Sequence, residues 1–282
     1  MYRPPVIIVG MHRSGTTMIT KMLENLGLFV GAEKEVNNEA LFFWEINNWI
    51  FELHTANAEK PYNMRYTNPA CRKVIVESLA YFLSSSRRKK YLGKHSATVA
   101  RIQDTPFPYG WKDPKNTFTV DFWKELFPEA KIVHIYRNPI DSISSYIERD
   151  LALKNKFVWN WKKKLKREFL ISKNFHPNFR IYNLEEGFQA WQAYMDKALS
   201  LKNSCSNYIE VRYEDFLKNP TLHLSELSNF CGLQPSQESI EQETKNVKTD
   251  RAFAFLNRPE YVAFYQQIKD HALMQQLGYH QL

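Results

Sequence analysis

A three-layer α/β fold, with helices on both faces of a parallel sheet, is predicted by three observations. Short apolar runs rich in β-branched residues, at Val6–Val9, Lys131–Tyr136 and 208–211, alternate with stretches of three- and four-residue apolar spacing. Gly and Pro punctuate these segments, with Gly27, Pro128, Gly232 and Gly278 standing where helices should stop. There is no internal repeat, no low-complexity tract and no linker, so residues 1–282 read as one domain.

Taken in order, Val6–Val9 is a buried strand bounded by Gly10. Met18, Ile19, Met22, Leu23 and Leu26 then recur with helical spacing up to Gly27. Residues 28–31 read as a short extended piece. Residues 37–54 are aromatic and acidic and fit a helix or helix pair on the sheet. This stretch is core packing or a substrate wall, with Glu45 or His54 as the group that would face a cleft. A polar loop is expected over 62–69, a helix over 71–84, and a weak strand or helix end over 97–102. Gly110 and Pro114 bracket a short strand and turn containing Lys112 and Asp113, and a helix over 117–127 follows.

Lys131–Tyr136 is the strongest strand. It ends at Arg137-Asn138, and Pro139 suits the first turn of another helix. Residues 154–167 are dense in Lys and Trp, and a solvated helix, a substrate lid or an anionic-surface patch are all open for them. Asn183 and Glu186 form a capping-box variant that starts a helix running to about Leu201. A helix over 221–230, a polar surface stretch over 234–248 and one long final helix over 259–277 complete the expectation.

The 44% hydrophobic content supports a sizeable core, and a net charge of +8 favours anionic partners without choosing among them. Cys71, Cys205 and Cys231 show neither metal-ligand spacing nor a disulfide framework, so reduced thiols and a cytoplasmic setting are expected. No apolar run approaches membrane-spanning length, and with the first strand starting at Val6 no leader is expected. Peripheral membrane contact stays open, as does the oligomeric state. No nucleic-acid-binding motif is present.

The segment from Gly10 to Thr17 (Gly-Met-His-Arg-Ser-Gly-Thr-Thr) joins strand to helix. Two glycines, a cation and three hydroxyls at such a junction aim backbone N–H groups and a helix N-terminus at one point, which suits an anion. The plainer alternative is a βα connection capped by Ser14 or Thr16. A Walker A loop would put lysine after the second glycine; here Thr16 takes that position, and the loop's cation is Arg13. Charged residues also follow the other strands, Lys112 and Asp113 after one and Arg137 after another. In such sheets ligands sit beyond the carboxyl ends of the strands.

These residues resemble those of sulfotransferases. Arg13-Ser14-Gly15-Thr16-Thr17 is similar to the family's 5′-phosphosulfate loop. Arg137-Asn138-Pro139, with Ser145 eight residues after Arg137, is similar to its 3′-phosphate motif. Tyr213-Glu214-Asp215 is similar to a third family segment, whose tyrosine lies near adenine. Arg in the loop, where cytosolic aryl enzymes carry Lys, is closer to the carbohydrate-type and bacterial members.

The resemblance implies a P-loop-like fold with a five-stranded sheet and no metal. It also implies 3′-phosphoadenosine 5′-phosphosulfate (PAPS) as donor and a hydroxyl-bearing acceptor, a glycan, glycolipid or small molecule. On that basis His12, Arg13, Ser14, Gly15, Thr16, Thr17, Arg137, Ser145 and Tyr213 are expected to hold the donor. Arg13 and Lys112 are expected to stabilise charge during transfer, and Glu45 or Asp113 to serve as base, with Arg251 a further candidate for the 3′-phosphate. A P-loop kinase and a basic module that binds anionic polymers are the alternatives.

Overall fold

The computed structural model describes residues 3–57, 60–158 and 183–282. From residue 159 onward the Lys- and Trp-rich stretch lies outside the described residues.

Four parallel strands form the sheet in the order β2-β1-β3-β4: β1 (Val6–Val9), β2 (Gly110–Lys112), β3 (Lys131–Tyr136) and β4 (Tyr208–Arg212). Among the described residues four strands stand where about five were expected. The short extended piece after the first helix supplies the difference in reduced form, because Phe29 makes a single parallel bridge to Tyr109 at the β2 edge. Gly27 and Gly31, at its two ends, both adopt positive φ.

All four residues of β1 are buried, and they alternate between two cores. Ile7 and Val9 join Trp111 and Ile132 against α2 (Leu41–Leu53), α3 (Pro69–Ser84) and α5 (Asn116–Leu126). A one-turn helix, α4 (Lys89–Leu92), adds Tyr91 and Leu92 to this core. Phe43 of α2 stacks flat on Trp111 of β2 with ring centroids 3.8 Å apart. Val6 and Ile8 join Val133, Ile135 and Val211 against α1 (Thr16–Asn25) and α9 (Pro220–Cys231). A third cluster lies beside the sheet. It is built by α6 (Pro139–Val158), α7 (Leu184–Ser204), α11 (Pro259–Ile268) and α12 (Ala272–Gln276). Two further short helices, α8 (Tyr213–Lys218) and α10 (Gln237–Thr244), flank α9.

The expected order of elements stands, with corrections at the ends. Residues 62–69 begin in a 3-10 helix, Pro61–Tyr66, rather than a plain loop; of the two alternatives for 97–102 the helix end stands, since 3-10 helices Gly93–Ala97 and Ile102–Asp104 flank it. The polar stretch 234–248 contains α10. The final helix is two helices, because the His271 side chain accepts the Leu273 N–H and caps α12 as a separate element. Among the described residues, no helix is long and apolar enough to cross a membrane. All three cysteines are free.

Candidate active site

β1 pairs with β2 on one side and β3 on the other, so the chain leaves its C-terminal end where the strand order reverses. A cleft of about 530 Å³ opens there, lined from all four strand ends by the loop after β1, Lys112, Arg137 and Tyr213.

Backbone conformation shapes the loop. Gly10 has φ +137° and lies so close to β3 that a Cβ would stand 2.1 Å from the Ile135 carbonyl oxygen. Arg13 is left-handed at φ 69°, unusual for a residue with a side chain, and Gly15 follows at φ 96°. Gly15 is the N-cap of α1 and lends no side-chain cap, and no acidic residue sits in the first turn. The helix N-terminus therefore faces the cleft without an internal countercharge. The ring of Tyr213 packs on Gly15, where a Cβ would lie 2.3 Å from Tyr213 Cδ2.

The loop side chains divide in two directions. Ser14 is buried, and its hydroxyl donates to the Met11 carbonyl at 2.7 Å, so it braces the loop from within. His12, Arg13, Gly15, Thr16 and Thr17 line the cleft. Arg13 Nε donates to Ser145 Oγ at 3.0 Å, bringing the loop's cation to the Arg137 end of the cleft. Burial, then the charges of Arg149, Arg137 and Arg251, lower its pKa. A guanidinium stays protonated regardless, so such crowding marks a place for an anion.

Arg137 is almost fully buried. Its Nη2 donates to the Arg251 carbonyl at 2.6 Å and lies 3.3 Å from Asp141 Oδ2. Its guanidinium carbon sits 4.8 Å from the centre of the Tyr213 ring, and its Nε has no hydrogen-bond partner among the described residues. Ser144 takes no part, because its hydroxyl bonds back to the Asp141 carbonyl. Asp141 in turn accepts the Phe255 N–H at 2.9 Å and so fixes the segment that carries Arg251. Glu214 ties the ends of β3 and β4 together, accepting from the Asn138 N–H and the Tyr279 hydroxyl, each at 2.8 Å. Burial raises the pKa of both carboxyls.

At the opposite end Lys112 is buried and holds three oxygens: Asn37 O at 2.6 Å, Glu39 Oε1 at 2.7 Å and Thr17 Oγ1 at 3.3 Å. Burial lowers its pKa, and Glu39 opposes that shift. Glu39, Asn37 and Thr17 all line the cleft.

Neither carboxylate expected as base is in this group. Glu45 lies on α2 and pairs with Lys90 at 2.6 Å at a half-exposed position away from the cleft lining. Asp113 is buried behind the cleft, accepting from Asn47 Nδ2 and the Lys115 N–H, each at 2.9 Å. His54 bonds the Ile50 carbonyl and Thr67, also away from the cleft. The carboxylate that pairs with Lys112 at the cleft is Glu39, which sequence reasoning did not single out and which precedes α2 in a non-periodic stretch. That stretch is set by a turn in which Asn38, at φ 66°, and Glu39 fold back on Glu35. The pair Asn37-Asn38 before Glu39 was its one signal. Lys21, Arg149, Asn246 and Lys248 also line the cleft and carried no motif.

The fold is α/β, with a cleft rich in basic side chains at the switch point of its sheet. The chain belongs to the sulfotransferase family, whose sequence model matches residues 4–237. Among solved structures, it is similar to the sulfotransferase domain from the curacin biosynthetic pathway, at 15% identity. That match covers 95% of this chain and 98% of the other with a TM-score of 0.51. It is also similar to the sulfotransferase from Alicyclobacillus acidocaldarius, at 18% identity, covering 100% and 98% with a TM-score of 0.50. No curated protein matches it in sequence. The enzyme transfers a sulfuryl group.

Proposed function

We propose that the donor is PAPS and the acceptor a hydroxyl of a glycan, glycolipid or small molecule, with transfer in the cytoplasm. One observation carries this reading: a single cleft gathers anion-complementary groups in two parts. One is the α1 N-terminus with Thr16 and Thr17; the other is the cluster of Arg13, Arg137 and Ser145. ATP, whose phosphates form one chain, leaves the second place without a role; a 3′,5′-bisphosphorylated nucleoside uses both. The unpartnered Nε of buried Arg137 supports the fit.

In this reading the N–H groups of the first turn of α1, with Thr16 and Thr17, hold the 5′-phosphosulfate. Lys112, beside Thr17, stabilises charge on the leaving phosphate oxygen. Glu39 accepts the acceptor's hydroxyl proton as that oxygen attacks sulfur and the sulfur–oxygen bond to the phosphate breaks. Lys112 orients Glu39 at 2.7 Å, which places base and leaving-group cation side by side. A kinase reading finds Thr16 in the lysine position, and Asp113, the strand-end carboxylate, turned to Asn47 and Lys115.

The test is transfer of labelled sulfate from PAPS to a panel of hydroxyl acceptors, with calorimetric titration of the product 3′-phosphoadenosine 5′-phosphate (PAP). Tight PAP binding with label transfer supports the reading. A folded protein that ignores PAP overturns it.

A further inference from the structure

More positive charge surrounds Ser145 than its neighbours neutralise. The guanidinium groups of Arg13, Arg137, Arg149 and Arg251 line this end of the cleft. Among the described residues, Asp141 beside Arg137 is the one carboxylate ion-paired with any of them. Arg149 follows Ser145 by one turn of α6, so their side chains share a face of the helix. Its guanidinium carbon lies 5.6 Å from the centre of the Tyr146 ring, a contact that supports the side chain on that face. Arg13 Nε meets the Ser145 hydroxyl, and Arg149 is the charge that acts most strongly on Arg13.

Arg137, the motif arginine, is less free than its neighbours. One nitrogen is committed to the Arg251 carbonyl, and the group is nine-tenths buried against Tyr213. What it still offers is Nε, a buried donor, and the N–H groups of Nη1. A phosphate dianion presents three terminal oxygens, each able to accept more than one hydrogen bond, so the remaining donors of Arg137 and the Ser145 hydroxyl leave acceptor positions open. Like charges gathered in one cleft, with Asp141 as the one paired carboxylate among the described residues, are tolerated where a multivalent anion joins them.

We propose that Arg13 and Arg149, grouped around the Ser145 hydroxyl, form the outer half of the 3′-phosphate site and Arg137 the inner half. Arg149 is then the residue that makes the cleft selective for a 3′-phosphorylated nucleotide. This inference rests on the PAPS reading above. Arg149 is a binding residue and takes no part in sulfuryl transfer itself.

The test compares PAP with 5′-AMP, which lacks only the 3′-phosphate. Both are titrated into the wild type, Arg149→Gln and Arg149→Lys, with thermal unfolding as the check on folding. In Arg149→Gln, PAP affinity should fall about 10-fold or more, the scale of a lost charge-assisted hydrogen bond, while AMP affinity holds. Arg149→Lys should recover part of the loss, because the charge returns without the planar fork. A wild-type ratio of PAP to AMP affinity in Arg149→Gln overturns the inference, and so does an equal fall for both ligands. A higher KM for acceptor with an unchanged ratio also overturns it and assigns Arg149 to the acceptor. If the wild type itself binds PAP no better than AMP, the donor reading fails first, before any variant is compared.

Discussion

Replacing Glu39 by Gln removes one charge from a pair in which Lys112 is 1% and Glu39 6% exposed, with N and O 2.7 Å apart. At an effective dielectric constant of about 20, two unit charges at that spacing attract by about 6 kcal/mol, against a desolvation cost of similar size. Breaking such a pair from one side costs about 3–5 kcal/mol, because the remaining charge stays buried. The amide can still accept from Lys112, so the loss should fall at the lower end. The pH dependence has a definite sign. Lys112 already has a lowered pKa, and without Glu39 that pKa falls further. The unfolded chain then binds the proton that the folded chain rejects, so Glu39→Gln should regain stability as pH rises toward the ordinary lysine range. Thermal unfolding from neutral to alkaline pH reads this directly. Sulfate transfer should fall by about 10²–10⁴-fold, the usual contribution of a general base, while PAP binding holds. A variant with wild-type turnover and a wild-type pH–rate profile would refute the assignment of Glu39 as base. Unchanged stability would refute the argument about the pair.

Glu45→Gln should leave sulfate transfer unchanged and unfolding within about 1 kcal/mol of wild type, since its pair with Lys90 is half exposed; a large loss of turnover would restore Glu45 as base. Gly15→Ala forces a Cβ into the Tyr213 ring at a left-handed φ, so a raised KM for PAPS is expected together with at least about 1 kcal/mol of destabilisation in urea unfolding. Burial drives the His134 pKa down to about 3, well below the unfolded value. Stability from that neutral ring is complete above pH 6.5 and declines as pH falls toward 3, by about 2 kcal/mol at pH 5; His134→Gln should flatten this acid limb in unfolding measurements.

The layered fold was legible because its signals are local. Val6–Val9 and Lys131–Tyr136 are apolar on both faces, and that pattern belongs to a strand covered on both sides. Gly10 and Gly15 were legible as loop residues, and the structure gives each a close contact that excludes a side chain. The Lys112 end of the cleft was only half legible. Lys112 follows from its place at a strand end, but Glu39 reaches it through a turn whose geometry no periodicity encodes. Glu45 and Asp113 have the right chemistry, and their partners, Lys90 and Asn47, are distant in sequence. Arg149 was invisible for the same reason, because its meaning depends on Arg13, whose side chain arrives from the other side of the sheet's switch point.

The hold that Asp141 and Arg137 keep on the 251–255 segment, and that Glu214 keeps on Tyr279, bears on where the working unit ends. The family pattern stops at residue 237, yet Lys248 and Arg251 line the cleft and Tyr279 is wholly buried. A protein cut at the limit of sequence similarity would keep both phosphate motifs intact on paper. It would also expose the apolar backs of α6 and α7 and leave Glu214 buried without the Tyr279 hydroxyl. The boundary that matters to folding and to the shape of the cleft is therefore physical, and it lies beyond the one drawn by likeness.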